Sequence, residues 1–230
     1  YNAIVALNEA GSVLHYQILQ RHRPTRHRSL LIDAGATCRG YGSDITRSYA
    51  ASGADSTFVD LLAQMDDLQR HLCALVKPGV DWREIHQAAV EKIAALLCSS
   101  GILRCSVEEA LSSGTARLFF PHGIGHLLGL QVHDVAGFSD ENGTLIPRPD
   151  GHPFLRMTRT LEPGMVVTIE PGLYFIPMLL ADLKNRPEAK AVNWAKVEQL
   201  IPYGGVRIED EVHCTEDEPE NISRDAFAAL

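Results

Sequence analysis

The sequence predicts an α+β fold, and three observations lead there. Two amphipathic helical patterns follow one another in the first half, short strand-like runs stand on both sides of them, and loops rich in Gly and Pro join the later runs. At 230 residues and 45% hydrophobic content the chain can bury a sizeable core, in one large domain or two small ones. The net charge of −8 argues against a sequence-independent hold on nucleic acid, which needs clustered Lys and Arg. No apolar run is long enough for a transmembrane helix, and the first residues show no basic start followed by an apolar core. The expectation is therefore a cytoplasmic protein with neither a membrane nor a nucleic-acid partner.

Taken in order, IVAL (4–7) and SVLHY (12–16) are short apolar runs separated by NEAG, which predicts a hairpin, and the Arg- and His-rich segment 17–28 reads as an exposed loop. Over 57–77, Phe58, Leu61, Leu62, Met65, Leu68, Leu72, Leu75 and Val76 recur at helical spacing until Pro78-Gly79 stops them. Asp81 and Glu84 form a capping-box-like start for a second helix to about Leu97, with Gly101 as its stop, and Ser106 with Glu109 starts a shorter third. After residue 116 the runs RLFF, VVTIE, LYFI and GVRIEDEVHCT predict strands, while 139–160 reads as a long loop. Five cysteines, Cys38, Cys73, Cys98, Cys105 and Cys214, include no C-x-x-C pair and read as reduced thiols that mostly fill space. The chain opens on Tyr1 in strand-like YNAIVALN rather than on Met, which reads as a piece of a longer product.

The chemistry concentrates in a few windows. In SLLIDAGATCRGYGSDITRSY (29–49), an apolar strand ends on Asp33, and Gly40 and Gly42 permit a sharp return that would bring Asp44 beside it. Asp and Gly are also ordinary turn residues, so that window alone decides nothing. FFPHGIGHLLGLQVHDVAGF (119–138) holds His122, His126 and His133 among glycines that disfavour a regular helix and suit a backbone packed tightly against a site. Glu170 closes the apolar run MVVTIE, where an ionised carboxylate needs a counter-charge. Glu209 follows in GGVRIEDE, an acidic stretch where a surface role is also open. Asp33, Asp44, His126, Glu170 and Glu209 make four carboxylates and one imidazole, a donor set suited to Mn²⁺, Co²⁺ or Zn²⁺. Four carboxylates overload one divalent ion and balance two.

DAG…SDITR, PHGIGHLLGLQVHD, EPGMVVTIEPGLYF and GGVRIEDEV, in that order, resemble the signature of the pita-bread metallopeptidases. HGIGHLLGLQVHDVAGF followed by FLRMTRTLEPGM is most similar to the bacterial Xaa-Pro dipeptidases, or prolidases, within them. The resemblance covers essentially the whole chain. It implies a pita-bread catalytic domain over 1–230, with curved antiparallel strands, helices packed outside, and an amino-terminal domain and opening helical part that do not precede Tyr1. It further implies two divalent ions, Mn²⁺ foremost with Co²⁺ or Zn²⁺ as alternatives, a dipeptide substrate ending in proline, and a homodimer of the full-length protein.

Carried over position by position, the resemblance makes Asp44 and Glu209 bridge both ions, with Asp33 on one and His126 and Glu170 on the other. Glu170 doubles as proton carrier to the prolyl nitrogen, and His122 and His133 hold substrate and stabilise the oxyanion. His15 matches a histidine lining the pocket, though an ordinary strand histidine reads the same way. Arg156 resembles the prolidase residue that clamps the substrate carboxylate, and Arg207 either binds substrate or neutralises neighbouring Glu209. Arg47 and Arg159 read as surface or ion-pair residues. Three alternatives stay open: aminopeptidase P acting on longer peptides, which a carboxylate clamp would hinder, and a metal-free peptide-binding module or a creatinase-like metal-free hydrolase, both disfavoured by the retained ligand types.

Overall fold

The computed structural model describes residues 2–18 and 20–230; Tyr1, at the head of YNAIVALN, and Leu19, in the expected loop 17–28, lie outside them. Helix α1 (Ser56–Cys73) starts where the Asp55 carboxylate accepts the Thr57 N–H at 2.8 Å. Its face of Phe58, Leu61, Met65, Leu68 and Leu72 is buried, each such side chain contributing about 1.5–3 kcal/mol. The helix stops four residues short of the expected end. Leu75 and Val76 bond back only three residues, to Leu72 and Cys73, so the last turn tightens before Pro78. Helix α2 (Trp82–Ser99) is capped by Asp81, which accepts from Arg83 N–H, and ends at Gly101 in the left-handed region. Helix α3 (Val107–Ser112) is capped by Ser106 on Glu109 N–H, as expected.

Strands β1 (Ile4–Leu7), β2 (Ser29–Ala34) and β5 (Ile45–Ala50) form one antiparallel sheet in the order β1-β2-β5. The small hairpin β3 (Thr37–Cys38) and β4 (Tyr41–Gly42) caps its β2–β5 end. A second antiparallel sheet runs β10-β9-β6, from β6 (Val166–Ile169), β9 (Asp210–His213) and β10 (Glu220–Asn221); β7 (Gly172–Tyr174) pairs with β8 (Gly205–Arg207). Short helices α4 (Pro177–Lys184), α5 (Trp194–Leu200) and α6 (Ile222–Ala228) complete the chain, and α1 packs on β5, β6, β8 and α2.

Three expectations are corrected. Residues 12–16 form no strand, so the first hairpin is absent: β1 pairs with β2 instead, and 8–12 coil into a 3-10 turn. Asn8, in the left-handed region, turns the chain there, and its side chain bonds Arg26 O and Arg28 N–H at the approach to β2. RLFF is likewise no strand: Arg117 and Leu118 end a 3-10 turn (Ala116–Leu118), and Phe119 and Phe120 just after it are buried in the core. Of the two hairpin glycines, Gly40 makes the turn together with Arg39, at φ of 91° and 52°. Gly42 instead allows close packing, since a Cβ there would lie 3.0 Å from Val132 Cγ2. Segment 139–160 holds no helix or strand beyond the isolated bridges Ser139–Leu145 and Asp81–Thr160, and the cysteines are free thiols, four of them buried or partly buried and Cys38 exposed.

Under α2, His86 is 3% exposed and its Nε2 stands 2.7 Å from His152 Nδ1. Burial, aided by nearby His152 and Arg117, holds its pKa down at about 3. Unfolded, the same ring takes up a proton below about pH 6.5. The stability it contributes is therefore complete above that pH and is lost progressively as pH falls towards 3. His86→Phe should flatten the acid side of the stability curve, gaining on the parent by up to about 1.4 kcal/mol per pH unit below neutrality. Urea unfolding of both proteins near pH 7 and near pH 5 measures this, and a pH-independent difference would contradict it.

Candidate metal centre

Strand register brings the candidate ligands together. Asp33 lies opposite Thr46 in the β2–β5 pair, and Thr46 makes a bridge with Glu209, so three neighbouring positions form one row across the sheet. The β2 burial pattern alternates and puts Asp33 on the buried face with Leu31. Ile169 pairs with Asp210 in β6–β9, which leaves Glu170 at the strand end beside Glu209. Segment 124–128 runs antiparallel along β6 through Thr168 N–H to His126 O at 2.9 Å and Glu170 N–H to Ile124 O at 2.8 Å. That approach requires glycine before His126, because a Cβ on Gly125 would stand 1.9 Å from Thr168 O. Asp44 precedes β5, its N–H donating to Glu211 Oε1 at 2.5 Å.

Donor atoms of Asp33, Asp44 and Glu209 lie within 4.8 Å of one another, and so do those of His126, Glu170 and Glu209. His126 Nε2 stands 3.6 Å from Asp44 Oδ2 and 3.7 Å from Glu170 Oε1. Its Nδ1 donates to Leu127 O at 2.9 Å, which fixes the tautomer and leaves the Nε2 lone pair for the cluster whenever the ring is neutral. A third triple, Asp44, His126 and His133, meets the same limit. The five predicted ligands thus converge, and His133 stacks edge-on to His126 with centroids 4.3 Å apart.

Electrostatics show what the cluster lacks. Burial pushes the Glu170 carboxyl up to about 7, with the Asp44 and Asp33 charges adding to the rise. Glu209 is raised well above the usual range by burial and then by Glu170, Asp44 and Asp33. Burial would lower His126, but the hydrogen bond to Asp44 and the Glu170 charge outweigh it and raise its pKa. Arg207 is the one buried guanidinium at the site among the described residues, and it donates to Asp33 Oδ2 at 2.6 Å, Thr46 Oγ1 at 3.1 Å and the Tyr174 hydroxyl at 3.1 Å. Its direct ion-pair partner is Asp33 rather than neighbouring Glu209. One arginine and one imidazole against four carboxylates leave a deficit of positive charge, and hard oxygen donors with one nitrogen fit divalent cations of the Mn²⁺, Co²⁺ and Zn²⁺ type.

A cavity of about 610 Å³ opens over the cluster, and its wall includes every predicted site residue: the five ligands, His15, His122, His133, Arg156 and Arg207. Arg156 is exposed and, among the described residues, has neither a hydrogen-bond nor an ion-pair partner; its charge helps hold down the His133 pKa, which burial chiefly lowers to about 4. His122, lowered to about 3 chiefly by burial, has both nitrogens engaged. Nδ1 donates to Gly123 O at 2.8 Å, so Nε2 accepts from the Tyr174 hydroxyl at 3.0 Å. Arg47 forms an ion pair with Asp210 and Arg159 one with Glu162, as expected. Sequence reasoning missed Tyr174, which joins Arg207 to His122, and Thr46, which donates to Glu209 Oε2 at 2.7 Å. Both lie in motifs already singled out, SDITR and EPGLYF, but a threonine and a tyrosine carry no ligand signal there.

The sequence pattern of Metallopeptidase family M24 matches residues 1–216. The chain belongs to metallopeptidase family M24. It is 55% identical over its whole length to a Xaa-Pro dipeptidase of Stenotrophomonas maltophilia (strain K279a) and 54% identical to one of Xanthomonas campestris pv. campestris (strain 8004). In both cases it spans 52% of the relative, about half the length of the curated relatives it matches. Among solved structures it resembles a Zn-substituted aminopeptidase P of Escherichia coli in complex with product, with TM-score 0.73 and 31% identity over 98% of this chain and 44% of that one. Proline aminopeptidase P II from Yersinia pestis matches similarly, at TM-score 0.73 and 30% identity over 98% of this chain and 45% of that one. The M24 chain thus has the α+β pita-bread fold of these neighbours.

Because the donors must shed protons to take up cations, Mn²⁺ should stabilise the metal-free protein, by roughly 5–10 °C at about 100 times its dissociation constant. The shift should be larger near pH 8 than near pH 6, since below about 7 a proton on Glu170 competes with the ion. Thermal melts with and without Mn²⁺ at both pH values check this; a shift independent of pH would contradict it.

Proposed function

We propose that residues 1–230 are the catalytic domain of a Xaa-Pro dipeptidase that uses two divalent ions, Mn²⁺ foremost, and releases proline from dipeptides. The observation that carries the reading is Arg156: an exposed guanidinium without an ion-pair partner among the described residues, in the wall of the cavity that also holds the five-donor cluster. The whole-length identity to Xaa-Pro dipeptidases, higher than to the aminopeptidase P structures, supports the same choice.

In this reading Asp33, Asp44 and Glu209 hold one ion and His126, Glu170 and Glu209 the other, with Asp44, 3.6 Å from His126, reaching between them. Bound ions would polarise the scissile carbonyl and acidify water at the centre. Arg156 takes the substrate carboxylate in its fork, which places the prolyl bond over the cluster. Glu170, at the strand end beside the centre, removes a proton from the attacking water and delivers it to the prolyl nitrogen as the C–N bond breaks. His133 carries no hydrogen bond among the described residues and is the imidazole free to donate to the oxyanion. His122, tied to Tyr174 and Gly123, shapes the wall instead, and Arg207 holds Asp33 and Tyr174 in place.

Only a dipeptide offers its carboxylate one residue beyond the scissile bond. Arg156→Ala should therefore lower kcat/KM for Ala-Pro by about ten- to a hundredfold, the loss of a charge-assisted bidentate contact, while bound metal is unchanged. The gap between Ala-Pro and Ala-Pro-amide should narrow. Kinetics on the full-length protein with metal content measured alongside decide it. Equal losses on both substrates would give Arg156 a structural role, and a parent that prefers tripeptides would favour the aminopeptidase P reading.

A further inference from the structure

A second charge cluster lies directly behind the first, and none of its members lines the cavity. Asp210, next to Glu209 in sequence, is fully buried and receives two arginines, Arg47 at 2.5 Å and Arg224 Nε at 2.6 Å, together with the Asn221 amide at 2.9 Å. Each arginine reaches on. Arg47 Nη1 donates to the backbone oxygen of Glu209 at 2.7 Å and to that of Thr46 at 2.9 Å. Arg224 Nη2 donates to Asp66 at 2.7 Å and to Gln69 Oε1 at 2.8 Å. Gln69, itself fully buried on α1, passes its amide to Ile169 O at 3.2 Å, the carbonyl just before Glu170. A parallel arm runs from α6 through Ser223 to Glu211 N–H at 2.9 Å, and the Glu211 carboxylate holds Asp44 N–H.

We propose that Arg224, Gln69 and Arg47, assembled on Asp210, are positioning residues that hold Glu170 and Glu209 through their backbone and so set the affinity of the centre for divalent cations. The inference rests on the reading of those glutamates as ligands. Its logic is geometric. Two carboxylates that repel one another must be kept within 4.8 Å of shared partners, and side-chain rotamers alone do not do this. The network fixes the peptide on the Ile169–Glu170 side and the peptide after Glu209 to one buried anion, whose own charge is neutralised by two guanidinium groups. The C-terminal helix α6, beyond the residues matched by the family pattern, thereby becomes part of the metal centre's frame.

The test is isothermal titration of Mn²⁺ into the metal-free full-length protein, with melting temperature measured in parallel. Arg224→Gln removes the link between Asp210 and Gln69 at a side chain that is 23% exposed. Leu183→Ala, a fully buried site on α4 outside this network, gives a matched loss of stability. Arg224→Gln should raise the Mn²⁺ dissociation constant about tenfold, as losses of outer partners of metal ligands do. Leu183→Ala should lower the melting temperature and leave the constant within about twofold. Gln69→Met, which keeps the volume and deletes the Gln69 bonds to Ile169 O, Arg224 and Cys73 Sγ, should weaken binding in the same direction and serves if Arg224→Gln does not fold. Unchanged Mn²⁺ affinity in the folded variant, with only the melting temperature lowered, overturns the proposal. A parent protein that takes up no Mn²⁺ overturns the ligand reading beneath it, so the two failures are distinguishable.

Discussion

Mutual repulsion among four clustered carboxylates, three of them buried, is the constraint on which the rest of this structure depends. Asp33, Asp44 and Glu209 are each less than 9% exposed, and Glu170 joins them at a strand end. An arrangement of this kind has no stability of its own, because each added charge raises the pKa of the others. It persists because rigid antiparallel register holds the backbone, because Arg207 in the cavity wall supplies positive charge, and because the Asp210 network braces the backbone behind it. The remaining deficit faces the cavity, where a cation would sit.

Location of the cluster follows from how two sheets meet. The Thr46–Glu209 bridge joins the β1-β2-β5 sheet to the turn between β8 and β9, and segment 124–128 adds His126 along the edge of β6. Glycines let these backbones approach, and α1 and α2 supply the apolar mass that keeps the sheets from spreading. The same frame leaves one wall open to loop 148–156, whose Arg156 is free of protein partners among the described residues. On the proposed reading, metal binding and the hold on the substrate carboxylate fall to different parts of the chain.

Much of this was legible in the sequence, for identifiable reasons. Asp33, Asp44, His126, Glu170 and Glu209 stand beside glycines or at strand ends, where burying a charge is costly unless a counter-charge waits there, and the order of their motifs carried the family resemblance. The long helices were legible from spacing and caps. What failed was local: Asn8 in a left-handed conformation turned an apparent hairpin into a pairing of β1 with β2, a choice made by contacts more than twenty residues away. RLFF carries strand-forming residues, yet the core used its aromatics as plugs at a tight turn. Arg207 was placed at the site, but its partner, 174 positions away, depends on sheet register that spacing does not encode. The Asp210 network was invisible for the same reason.

The central claim is that this cluster exists to hold two cations that share carboxylates. Crystals of the full-length protein grown with Mn²⁺, with anomalous scattering recorded at the manganese edge, test it most directly. The account predicts two anomalous peaks roughly 3.5–4 Å apart, as in two-metal sites, with Glu209 and Asp44 between them. A single peak, or peaks confined to surface acidic residues while Glu170 and Glu209 stay unliganded, would contradict it.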